Sequence, residues 1–175
     1  MLAAAVYAIY EAENATPADA PSKFTAGVIN GFNPAVDVSA EMAECFAPDQ
    51  AMADDVDSLM AAIESKDFGS IKAIIAKDEP LAIKDTSLCM SDPKYAAIQK
   101  AYQYQEDIVK TAMADPDWQL HALKGIKGQI SQIKDNATAA LGKWNAGDYY
   151  GAGQLIGAID KIVFTYWETN QTFLQ

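Results

Sequence analysis

Between Ile126 and Trp144, apolar side chains recur at alternating steps of four and three: Ile126, Ile130, Ile133, Ala137, Ala140 and Trp144. Only an α-helix returns side chains to one face with that rhythm, because 3.6 residues complete a turn while a strand alternates every second residue. Met52, Val56, Leu59 and Ile63 repeat it, as do Leu155, Ile159, Ile162 and Tyr166. No convincing strand-like alternation competes with these stripes. The chain is expected to be all-α, an antiparallel bundle of three long C-terminal helices preceded by several shorter ones.

Punctuation between the stripes sets the boundaries. Asp92-Pro93 and Asp115-Pro116 are the same start signal, an aspartate at the cap and a proline in the first turn. The helices they open should run to about Ala114 and Trp144. Asn145-Ala146-Gly147 stops the second, and the last helix should run from Asp148 to about Thr169. Upstream, Phe24 to Asn33 reads as a short helix and Ser39 to Cys45 as a brief one. Asp49 opens a longer helix that breaks at Lys66-Asp67; a further segment ends at Glu79-Pro80, and Leu81 to Cys89 is a weaker helix.

The N-terminus is organised differently. Residues 1–13 form a short apolar helical arm with Leu2, Val6, Ile9 and Tyr10 on its sticky side. Residues 14–22 carry two prolines and should run extended as a linker. Residues 23–175 make one helical bundle domain, since a chain of 175 residues suits a single core. A ten-residue apolar helix is unstable alone and must bury its face against something. The same segment resembles the apolar part of a secretory leader without its basic start, so it is either a structural arm or a leader remnant.

Glycines fall at helical spacing. Gly27 and Gly31 are four apart, as are Gly153 and Gly157. A glycine inside a helix costs about 1 kcal/mol against alanine, so paired glycines on one face point to close backbone approach. Sequence leaves open whether that approach is inside the domain or between subunits.

Charge excludes several functions. The net charge is −11, and all thirteen basic residues are lysines. An acidic chain without the arginine fork is poorly suited to phosphate backbones and base edges, so nucleic acid is not an expected partner, and neither is an anionic membrane surface. No run reaches the 18 or more apolar residues of a membrane-spanning helix.

Three of the six asparagines open an Asn-x-Thr sequon: Asn14, Asn136 and Asn170. Sequons matter only on the secretory route, and they predict a secreted, extracellular glycoprotein with N-linked glycans, Asn136 and Asn170 being the favoured acceptors. Cys45 and Cys89 fit that compartment as one structural disulfide; in a cytosolic protein they would be two unrelated buried thiols.

Catalytic chemistry finds no constellation. His121 is the only histidine and reads as a packed or partly exposed helix residue. With one histidine and no C-x-x-C, no zinc site is expected. Gly151-Ala152-Gly153-Gln154-Leu155-Ile156-Gly157 is superficially like a dinucleotide loop but follows no strand. Asp54, Asp55 and Asp57 lack the ligand order of an EF-hand and read as a solvated helix face. No metal, cofactor or enzyme activity is expected.

Phe24-x-x-Gly27-x-x-x-Gly31-Phe32, the cysteines Cys45 and Cys89, and Gly147-Asp148-Tyr149-Tyr150-x-x-Gly153-x-x-x-Gly157 span most of residues 24–164. In these motifs the chain resembles a loosely defined family of secreted helical proteins found mainly in ciliates. The resemblance implies an extracellular, disulfide-bonded helical domain with no assigned catalytic residues.

Two functions follow as expectations. One is a structural subunit of a homo-oligomeric or filamentous assembly, its arm docked into a neighbour. The alternative is a secreted binding module for a small apolar ligand, with Tyr102, Tyr104, Trp118, Trp144, Tyr166 and Trp167 available to line a pocket, or an inhibitor of a partner protein.

Overall fold

The computed structural model describes residues 16–65 and 87–165, with 67, 70 and 73. Over that range the fold is all-helical and contains no strand. Helices run Ala20–Phe32 (α1), Ser39–Cys45 (α2), Gln50–Ser65 (α3), Ser87–Ser91 (α4), Ala96–Met113 (α5), Trp118–Lys127 (α6), Ile130–Asn145 (α7) and Tyr149–Phe164 (α8). A 3-10 turn at Pro93–Tyr95 leads into α5.

Aspartates start the helices by local chemistry. Asp49 Oδ1 accepts from the Ala51 and Met52 amides, 2.8 and 3.2 Å away, at the head of α3. Asp92 takes the Lys94 amide and Asp148 the Gly151 amide, each at 2.9 Å. These contacts satisfy amides that a helix start leaves without a carbonyl partner. At the end of α7, Gly147 takes φ +77°. The Gly147 amide returns to the Trp144 carbonyl and the Asp148 amide to that of Lys143. This left-handed stop packs α7 and α8 together across a three-residue turn.

Three boundaries differ from expectation. α1 begins at Ala20, so the stretch expected to run extended through Ser22 is already helical at its end; Pro21 lies in the first turn, where its missing amide is harmless. The helix expected from Asp115 to Trp144 is two helices, divided at Gly128-Gln129, where glycine lowers the penalty for leaving the helix. Among described residues, α8 closes at Phe164 instead of continuing to Thr169.

The most intimate contact joins the first helix to the last. A methyl group on Gly27 would fall on the Tyr150 carbonyl oxygen, and one on Gly31 on that of Gln154. From the other side, Gly153 faces the Phe24 carbonyl and Gly157 that of Val28. Paired numbers rise together, so α1 and α8 run parallel. Short loops force antiparallel packing only on consecutive helices, and these two are separated by all the others. Because the glycines form the seam, the most buried positions of α8 are Gly151, Ala152, Gly153 and Gly157, while Leu155, Ile159 and Ile162 are half-buried around it.

Two larger cores flank the seam. One gathers Ile29, Val38, Met42, Phe46, Tyr95 and Ile98 around the Cys45–Cys89 disulfide, whose Cα atoms are 5.1 Å apart. Closing 44 residues of chain contributes about 4 kcal/mol in the chain-entropy picture. The other packs Phe24, Val56, Met60, Ala140 and Trp144.

Candidate functional site

The two ends of the α1–α8 pair are built from different chemistry. At the leading end, Trp144 meets Phe24 edge-on at 5.6 Å and Tyr149 at 4.7 Å between ring centroids. Its indole Nε1 donates to Asp57 Oδ1 at 2.6 Å, and the other carboxylate oxygen accepts from Thr16 Oγ1 at 2.8 Å. Gln50 Nε2 donates to the Thr16 carbonyl at 2.9 Å, and the Asp49 amide to that of Ala18 at 3.2 Å. Three of these hydrogen bonds hold Thr16 and Ala18 in place, and aromatic packing closes the end behind them.

Midway, Gln154 Nε2 donates to Asn30 Oδ1 at 2.8 Å, and Asn30 Nδ2 to the Val36 carbonyl at 2.7 Å. This clasp sets the register of α1 on α8 and ties down the loop after α1.

Among the described residues the trailing end carries a groove. The seam continues along α8 as Gly153, Gly157, Asp160 and Phe164, all on one face. α1 ends at Phe32, leaving Asp160 and Phe164 to form a groove with Val28, Phe32, Tyr102 and Val109. The groove holds about 390 Å³, with Glu106 and Lys110 at its edge. Those two pair at 2.5 Å in water and neutralise each other. Within the groove Asp160 and Tyr102 are half-buried, and neither makes a hydrogen bond to a described residue. Burial raises the Asp160 carboxyl to about 7 and the Tyr102 hydroxyl to about 12. Below about pH 7 both therefore hold protons and offer donors in an apolar setting.

The earlier candidates scatter. Cys45 and Cys89 form the disulfide. Gly27, Gly31, Gly153 and Gly157 come together in the α1–α8 seam. Asn136 is half-buried in α7, and the hydroxyl of its sequon threonine, Thr138, is exposed and donates to the Lys134 carbonyl. Asn14, Asn170 and the arm residues Leu2, Val6, Ile9 and Tyr10 lie outside the described residues, as do Tyr166 and Trp167. Trp144 fills core, Tyr102 lines the groove, and Tyr104 stands 44% exposed beside a second surface cleft.

Asp54, Asp55 and Asp57 do not share one solvated face. Asp54 and Asp57 are exposed as expected, but Asp55 is buried at 8% exposure, and Asp57 also joins Thr16 to Trp144. Partners 41 and 87 residues away from Asp57 cannot be read from local sequence. Asp160 was missed for a similar reason, although a lone acid in the apolar run Leu155 to Phe164 was a usable signal.

His121 Nδ1 lies 2.6 Å from Asp115 Oδ2 across the start of α6, a pairing that sequence spacing did not suggest. The contact orients the imidazole. Among described residues no group of three or more histidine, cysteine or acidic side chains is placed to hold a metal ion. No helix there is long and apolar enough to cross a membrane. No protein-family model, curated protein or solved structure matches the chain.

Proposed function

We propose that this protein is a non-enzymatic structural glycoprotein of the extracellular space, a subunit that self-associates through residues 1–13 into a homo-oligomer or filament. The observation that carries the reading is the tether at Thr16. The chain is held at Thr16 and Ala18 by Asp57, Gln50 and Asp49, which supports an arm offered from a fixed place. A fixed exit lowers the entropy lost when an arm engages a neighbour.

The domain suits such a role mechanically. One disulfide ties α2 to α4, and a backbone-tight seam joins the first described helix to the last, so tension on the chain is carried across the core. Net charge −11 and glycans at Asn136 and Asn170 oppose lateral clumping of the subunits.

The test uses the whole chain from a secreting host. Leu2→Lys with Ile9→Lys adds charge to the arm without touching the domain. Light scattering should show large species for the wild type and monomers for the double variant, and glycosidase should lower the intact mass. Equal association by both proteins would overturn the arm's role, and an unchanged mass would overturn the glycoprotein reading.

A further inference from the structure

We infer that the trailing-end groove of Val28, Phe32, Tyr102, Val109, Asp160 and Phe164 is the acceptor for residues 1–13 of a second copy of this chain. The inference rests on the assembly reading above and names the surface that reading leaves unspecified.

Placement gives the first argument. Thr16 is tied to Asp57, which also binds Trp144 beside Phe24 and Tyr149, at the leading end of the α1–α8 pair. The groove lies at the trailing end of the same parallel pair, around Phe32 and Phe164. A 16-residue helix such as α8 spans about 24 Å. With the Thr16 attachment point and the acceptor groove on opposite ends of one rigid pair, docking of the arm is head-to-tail and propagates from copy to copy instead of closing a dimer.

Chemistry gives the second. The first ten residues carry no charged side chain, and Leu2, Val6 and Ile9 share one helical face. The groove walls are apolar, and its charged edge is self-neutralised by Glu106 and Lys110. Inside it, the Asp160 carboxyl and Tyr102 hydroxyl lack partners among described residues. Tyr7 and Tyr10 of the arm bring hydroxyls that both donate and accept, the complement such a pair requires. Dimensions agree as well: ten residues would cover about 15 Å as a helix, against about 12 Å for α5 from Tyr102 to Lys110.

Site-directed cross-linking tests this on full-length chains. Ile9→Cys in one chain and Val109→Cys in another, mixed and gently oxidised, should give a disulfide-linked pair that neither variant gives alone. Ile9→Cys mixed with Lys134→Cys, which puts the second thiol on exposed α7, should not. If the mixture assembles by light scattering but forms no Ile9–Val109 link, the groove is overturned and the assembly reading stands. If a chain carrying both cysteines links only to itself, the arm folds back onto its own groove and the inference is wrong. If nothing assembles or links while an anilinonaphthalene dye saturates at one site per chain and is lost in Phe164→Asp, the groove serves a small apolar ligand. That result would overturn both readings.

Discussion

The two ends of the α1–α8 pair begin from the same seam and finish differently. At the leading end, apolar packing is completed by polar groups that all find partners: indole, hydroxyl and amide converge on Asp57 and Thr16. At the trailing end the described residues leave an apolar groove, lined by an acid and a phenol that make no hydrogen bond to a described residue. Folding free energy explains the first arrangement. An apolar groove containing a desolvated carboxyl lowers stability, a cost that the proposed docking of a second copy would offset. The seam tells the same story from the middle outward. Where glycines allow backbones to touch, the helices lock; where the glycine stripe gives way to Asp160, α1 has already ended at Phe32.

The largest effect should come from the seam. In Gly157→Ala the new methyl meets the Val28 carbonyl, a backbone atom that cannot rotate away. A loss of about 3 kcal/mol is expected in urea unfolding, and a loss below about 1 kcal/mol would show that the pair is not locked there.

Next is the closed end. Asp57→Ala leaves the Trp144 indole and the Thr16 hydroxyl without their acceptor, and should lower stability by about 2 kcal/mol. It should also increase protease sensitivity before Thr16. An unaffected variant would erase the contrast between the ends.

The open end is tested through pH. Asp160 titrates near 7 when folded and near 3.8 when unfolded, so the folded state holds the extra proton between those values. Stability should therefore be fully present below about pH 4 as far as this group is concerned, and fall as pH rises through 7. Tyr102 and Lys110 face the same groove from α5; burial pushes the Tyr102 hydroxyl up to about 12 and Glu106 raises the Lys110 ammonium, so neither changes charge in that window. Asp160→Asn should flatten the slope and gain on the order of 1 kcal/mol at pH 8. A wild-type slope that persists in the variant would place the titration elsewhere.

The smallest effect has the opposite sign to the first. Gly142 lies in α7 with open space where a side chain would go. Gly142→Ala should stabilise the protein by about 0.7 kcal/mol through helix propensity alone. A loss there would mean that glycine is costly to replace everywhere, and the seam would no longer be distinctive.

Much of this frame was legible in the sequence because its causes are local. Asp49, Asp92 and Asp148 cap the helices they precede, and Gly147 stops α7 by its own left-handed backbone. Glycine spacing announced close approach, but not that Gly27 and Gly31 would meet Gly153 and Gly157, nor that the helices would run parallel. That depends on the path of everything between them. The stripe from Ile126 misled at its start: Ile130 is 55% exposed while Ala140 and Trp144 are buried, because α7 packs by its second half. Asp57 and Asp160 show the limit most plainly. Two aspartates in helices read alike, yet one closes an aromatic cluster and the other lies in a groove.

Electron microscopy of the natively secreted, full-length protein is the most direct test of the account. It predicts unbranched filaments with one subunit per repeat and a continuous tube of density running from the Thr16 end of each subunit into the trailing-end groove of the next. Dispersed single particles at every protein concentration, or closed dimers joined by like faces, would contradict it.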